Sequence, residues 1–121
     1  MAETVKAAPP YCLVFISDPN GGELPAWTGE LFVASTETCI ALGCMMDSDG
    51  DTEFTLGQRS EVDPGGIPVF EGKLKTPSFS VVLYSAEDKT ILKVPASQDE
   101  TIVRVWTNRL RQPDRVIIGI E

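Results

Sequence analysis

Histidine is absent from this chain. That removes the commonest general base, the commonest metal ligand and the usual switch near neutral pH. Cysteine is scarce, with Cys12, Cys39 and Cys44 alone. An odd, sparse set fits reduced thiols in a core better than a disulfide framework. A cysteine nucleophile would lack both a histidine partner and an evident electropositive setting. No apolar run approaches the roughly 20 residues needed to span a bilayer. Residues 1–10 lack the apolar stretch of a secretory signal, so the expected location is cytoplasmic, with no membrane partner. The glycine-rich pieces at 20–22 and 64–66 match neither the phosphate-loop nor the dinucleotide-binding pattern.

Bases are nearly missing from one half. Between Asp18 and Asp63 stand ten carboxylates, with Arg59 as the sole base, whereas from Pro64 onward seven acids meet eight bases. The net charge of −8 therefore lies in the first half. Such a face repels nucleic acid and membrane surfaces and attracts cations or basic proteins. The late bases Arg104, Arg109, Arg111 and Arg115, interleaved with Trp106, have the makings of a stacking patch for single-stranded nucleic acid. A pI near 4.4 argues against that use and leaves a solvated loop, or pairing with the acidic half of another copy in a homo-oligomer.

What is present in quantity is β pattern. With 121 residues and 42% apolar content, the chain is long enough for one domain with a real core. Short apolar or alternating runs fall at 11–17, 31–34, 38–46, 52–58, 69–75, 78–85, 90–94, 101–107 and 115–121. Turn-forming residues separate them, as at 18–22, 47–51, 86–89 and 96–100. The expected fold is an all-β, two-sheet β-sandwich of eight or nine mainly antiparallel strands, spanning 11–121 after a flexible lead-in at 1–10. The inward faces would include Phe15, Ile40, Leu42, Phe54, Leu56, Phe79, Val81, Leu83, Leu92, Val103, Val105, Val116, Ile118 and Ile120. Asp49-Gly50-Asp51 between two apolar runs predicts a hairpin joining 38–46 to 52–58. Residues 59–67 read as a loop.

The sharpest cluster is Asp47, Asp49, Asp51 and Glu53. Clustered carboxylates suit hard cations, but the EF-hand loop needs glycine at its sixth position and a bidentate glutamate at its twelfth. Here Gly50 is fourth and Gln58 is twelfth. The cluster therefore reads as a charged turn, and no metal or other cofactor is expected. A glycosidase pair would need two acids about 5–10 Å apart across one cleft, which spacing in sequence does not show. Trp27, in a polar and proline-rich stretch, would either plug one end of the sandwich or anchor a partner.

Several of these pieces resemble the competence protein J family of nuclease inhibitors. The resemblance is carried by Val14-Phe15 in the first strand, by the loop leading to Trp27-Thr28 and Glu30, and by Ile91-Leu92-Lys93-Val94-Pro95. A strand running into Trp106-Thr107 and a short apolar terminal strand complete it. It touches about half of the chain, and the stretch from Glu30 to Ile40 is shorter than in that family. The resemblance implies a small acidic protein that binds and blocks a nuclease. The site of such an enzyme is basic because it grips phosphates.

Together these readings favour a non-enzymatic module for a basic protein partner. Its candidate contact residues are Trp27, Glu30, Asp47, Asp49, Asp51 and Glu53. The alternative is a small carbohydrate- or metal-binding β-domain with hydrolytic activity.

Overall fold

Residues 2–9, 11, 13–23, 33–44, 47–87, 89–109 and 113–121 are described by a computed structural model. Ten strands, one α-helical turn and, at Asp47–Asp49, one turn of 3-10 helix are found among them. The strands and the α-helical turn are β1 (Glu3–Ala7), β2 (Leu13–Ser17), β3 (Val33–Ser35), β4 (Cys39–Gly43), β5 (Thr52–Gln58), α1 (Arg59–Val62), β6 (Phe70–Lys75), β7 (Ser80–Ser85), β8 (Thr90–Pro95), β9 (Glu100–Thr107) and β10 (Arg115–Ile120). One five-stranded sheet has the order β1-β5-β10-β9-β6 and the other β3-β4-β2-β7-β8. All pairings are antiparallel except β5 with β10. The chain is an all-β sandwich, as the strand pattern predicts.

Alternation builds the core. In β5, Thr52, Phe54 and Leu56 point inward, and in β9, Val103 and Val105 do the same. They meet Val14, Ile16, Ile40, Leu42, Val81 and Leu83 of the facing sheet, all essentially free of solvent. Burying side chains of this size stabilises the fold by about 1.5–3 kcal/mol each.

Four expectations need correction. The hairpin across 47–51 does not exist, because β4 pairs with β2 and β3 while β5 pairs with β1 and β10. The connection at 44–51 instead crosses from one sheet to the other. The physical reason lies in β4, where Cys39, Ile40, Ala41 and Leu42 are all buried, so both faces of this strand are covered. A strand with two buried faces belongs inside a sheet rather than in a two-stranded tip. Second, Phe15 faces outward and stacks at a tilt on Tyr84, with ring centroids 5.4 Å apart. Its neighbours Val14 and Ile16 take the inward positions. Third, Phe79 is 51% exposed and precedes β7 with φ of 58°. A bulky residue in this left-handed region is strained by about 1–2 kcal/mol. Fourth, the predicted loop at 59–67 begins with the helical turn α1. Within the stretch expected as a lead-in, Glu3–Ala7 forms an edge strand against β5.

The parallel pair has its own packing device. Gly57 and Gly119 lie side by side on the outer face of their sheet. A Cβ on Gly119 would come within 3.1 Å of the Trp106 ring and 3.2 Å of both the Arg59 backbone and the Val62 side chain. These glycines form a floor on which α1 and Trp106 rest, and Trp106 is only 6% exposed there. Gly119→Val will therefore overpack this layer and lower stability by about 1–3 kcal/mol, read by chemical denaturation.

Candidate partner-binding surface

The register places the acidic turn at a defined end of the sandwich. β4 ends there and β5 begins there, and so does β10, whose Arg115 stands opposite Glu53. The hairpin joining β7 to β8 closes at the same end, because Ser85 pairs with Val14 near the start of β2. Residues Asp47–Asp49 form one turn of 3-10 helix, and Gly50 follows with φ of 125°, a value that suits glycine. Asp49 and Asp51 are exposed.

Glu53 is half-buried on the outer face of β5, where Arg115 Nε lies 3.6 Å from its Oε2. Its backbone N–H donates to the Asp114 carbonyl at 2.8 Å. The Asn108 side-chain amide donates to the Asp114 carboxylate. Lys6, Asp51, Glu53, Asp114 and Arg115 line a shallow depression of about 370 Å³. Of the candidate contact residues, Asp51 and Glu53 thus share one surface, with Asp49 in the preceding turn. Trp27 and Glu30, and the side chain of Asp47, lie outside the described residues. Asp114, Lys6 and Arg115 were not legible as members of this surface. They reach it through the β1–β5 and parallel β5–β10 pairings, which no local pattern encodes.

The carboxylates of the acidic half do not share one edge. Glu23 and Glu37 belong to the opposite end, tied to the turn before β4 by the Glu23 N–H donating to Thr38 Oγ1 at 2.8 Å. Asp18 is not a surface charge at all, being only 3% exposed. Its Oδ1 accepts the Ser78 N–H at 2.8 Å and its Oδ2 accepts the Asn20 N–H at 3.0 Å. Burial alone would raise its pKa, but the backbone N–H groups of Asn20 and Ser78, with the Ser78 hydroxyl, outweigh it and hold the group below its ordinary value.

The late arginines are similarly engaged. Arg104 contacts Glu121 at 2.7 Å and Glu71 at 3.1 Å, and Arg59 extends this chain of pairs to Glu121 and Asp63. The hydrogen bond to Glu121 leads the causes that raise the Arg104 pKa, and the same bond leads those that lower that of Glu121. Trp106 is buried and its indole N–H donates to the Gly66 carbonyl at 3.4 Å. This ring is not available for stacking on a base. Arg111 lies outside the described residues.

Burial pushes the Cys39 thiol up, against a weaker opposing effect of the Tyr84 hydroxyl 3.9 Å away, which disfavours a thiolate. Among the described residues, no three or more Cys, Asp or Glu side chains are grouped to hold a metal ion. No helix among them is long and apolar enough to cross a membrane.

No protein-family model matches the chain, and no curated protein matches it. The three-dimensional comparison is decisive where sequence is not. The chain superposes on the crystal structure of ComJ from Bacillus subtilis, an inhibitor of the DNA-degrading activity of NucA, with a TM-score of 0.71. The chain has the ComJ fold. The match covers 98% of this chain and 93% of ComJ at 12% sequence identity. The protein of crocagin biosynthetic gene J is also similar, with a TM-score of 0.54, 10% identity, and coverage of 99% of this chain and 97% of that one. At such identities the likeness to ComJ concerns architecture. It agrees with the resemblance to the competence protein J family read from strand and tryptophan positions.

Proposed function

We propose that this chain is a small, non-catalytic protein-binding module that occludes a basic partner in the manner of a nuclease inhibitor. The observation that carries the reading is the near end-to-end fold match to ComJ, a nuclease inhibitor. The net charge of −8 supports it, because a phosphate-gripping enzyme presents a basic site that an acidic surface can approach quickly. The exposed carboxylates of Asp49 and Asp51, beside Glu53 and Asp114, form the charged edge assigned to this approach. Trp27, Glu30 and Asp47 are further contact candidates from the sequence.

Rim charges act mainly on association rate and its salt dependence. Asp49→Lys with Asp51→Lys should therefore slow association with the nuclease at low salt by tenfold or more. The effect should shrink as ionic strength rises and the Debye length falls below about 8 Å. Stopped-flow mixing reads this directly. An association rate unchanged by the double reversal would remove this edge from the reading.

A further inference from the structure

We infer that Asn20-Gly21 is a latent deamidation site, held shut in the folded chain by Asp18 and Ser78 and opened to reaction by local unfolding of this turn. The site lies apart from the acidic edge proposed above and does not depend on it.

The dipeptide sets the chemistry. The Gly21 backbone nitrogen, after yielding its proton to hydroxide, attacks Asn20 Cγ. A cyclic imide forms, the Cγ–Nδ2 bond breaks, and the side-chain nitrogen leaves as ammonia with a proton taken from water. Water then opens the imide. Cleavage of the new bond to Cγ gives aspartate. Cleavage at the main-chain carbonyl gives isoaspartate, whose backbone runs through Cγ. Glycine presents no Cβ to hinder the ring. A Cβ at Gly21 would meet nothing within 4 Å, and both residues are exposed, so the surroundings leave room for the imide.

The folded turn opposes this reaction at both reacting groups. The Gly21 N–H donates to the Asp18 carbonyl at 2.9 Å, which engages the nucleophile. Asn20 Nδ2 donates to Ser78 Oγ at 2.7 Å, which holds the leaving amide against another turn. The buried Asp18 carboxylate ties the two turns together, with Oδ2 accepting the Asn20 N–H and Oδ1 the Ser78 N–H. Beyond Gly21 the chain is pinned again, because a Cβ on Gly22 would come within 2.2 Å of the Thr38 carbonyl oxygen. Imide formation is slow beside the opening of a turn, so its rate tracks the population of the open form. The hydrogen bonds that close the turn therefore set that rate. Isoaspartate adds one main-chain carbon before the Gly21 N–H, so the bond to Asp18 is lost and the turn no longer closes. The other asparagine, Asn108, is an internal control. It precedes Arg109 rather than glycine, its amide donates to Asp114, and its Oδ1 accepts the Arg115 N–H at 3.2 Å.

The test incubates the full chain at mildly alkaline pH, folded and in denaturant, and follows deamidation by peptide mass spectrometry. A protein-isoaspartyl methyltransferase is the probe for the isoaspartate product. Wild type should deamidate at Asn20 at least tenfold more slowly when folded. That slowing should match, within about threefold, the protection of the Gly21 N–H against hydrogen exchange in wild type. Ser78→Ala should raise the folded rate about threefold or more and leave the rate in denaturant unchanged. Asn108 should stay intact in both folded proteins, which separates opening of this turn from global unfolding. Equal rates for folded and denatured wild type, a slowing that does not match the exchange protection, or modification of Asn108 ahead of Asn20 would overturn the proposal. Equal folded rates for wild type and Ser78→Ala would overturn the role of Ser78 and the proposal with it.

Discussion

Phe54→Ala will lower the stability of this chain by about 3–5 kcal/mol. Phe54 lies at the centre of β5, is 0% exposed and is among the largest fully buried side chains. Its strand is flanked on both sides, by β1 and by β10, so the backbone cannot collapse far into the space left by the ring. The loss combines the transfer of a phenyl group to water with a cavity that relaxes only in part. Because a domain of this size is stable by only about 5–15 kcal/mol, the variant will melt roughly 10–20 °C lower. Thr55, the next residue along, faces outward with its hydroxyl 3.0 Å from that of Thr4 in an exposed contact. Thr55→Ala should change stability by less than about 1 kcal/mol. A similar loss at both positions would contradict the assignment of faces in β5.

Asp18→Ala will cost about 2–3 kcal/mol at neutral pH, because two backbone N–H groups lose a charged acceptor at a sheltered site. The effect depends on pH in a defined direction. The folded-state pKa of Asp18 lies below its unfolded value near 3.8. Its contribution is therefore fully present above that value and is lost as pH falls through the lower folded-state value. Denaturant melts of wild type and variant should differ most near pH 7, and the gap should narrow as pH falls below the unfolded value near 3.8. A gap that stays constant across this range would mean that Asp18 acts by packing rather than by charge.

Much of the fold was legible because alternation with period two reports which side of a strand is buried. Val103 and Val105, or Phe54 and Leu56, need no further information. Alternation is silent where a strand is apolar on both faces. The run at 11–17 carries no alternation, so nothing local distinguishes an outward Phe15 from an inward Ile16. The same holds for 39–42 in β4, where burial on both faces took the strand away from its expected hairpin partner. Partner choice is a long-range property. The β5–β10 pairing that sets Arg115 against Glu53, and brings Asp114 beside it, joins segments far apart in the chain. The buried role of Asp18 was hidden for a related reason. An aspartate before Pro19 and Gly21 reads as a solvated turn until the Ser78 N–H arrives from another turn to meet it. The strained Phe79 was hidden by its own sequence context, where it looks like the first inward residue of β7.

The proposed function has this chain block a basic, DNA-degrading partner by binding it. The direct measurement is degradation of DNA by purified nucleases of the source organism, with and without the chain, at low and high salt. An equimolar amount of the chain should suppress one such nuclease at low salt, and the suppression should weaken as salt rises. Undiminished degradation by every nuclease tested, with no complex on light scattering at low salt, would contradict it.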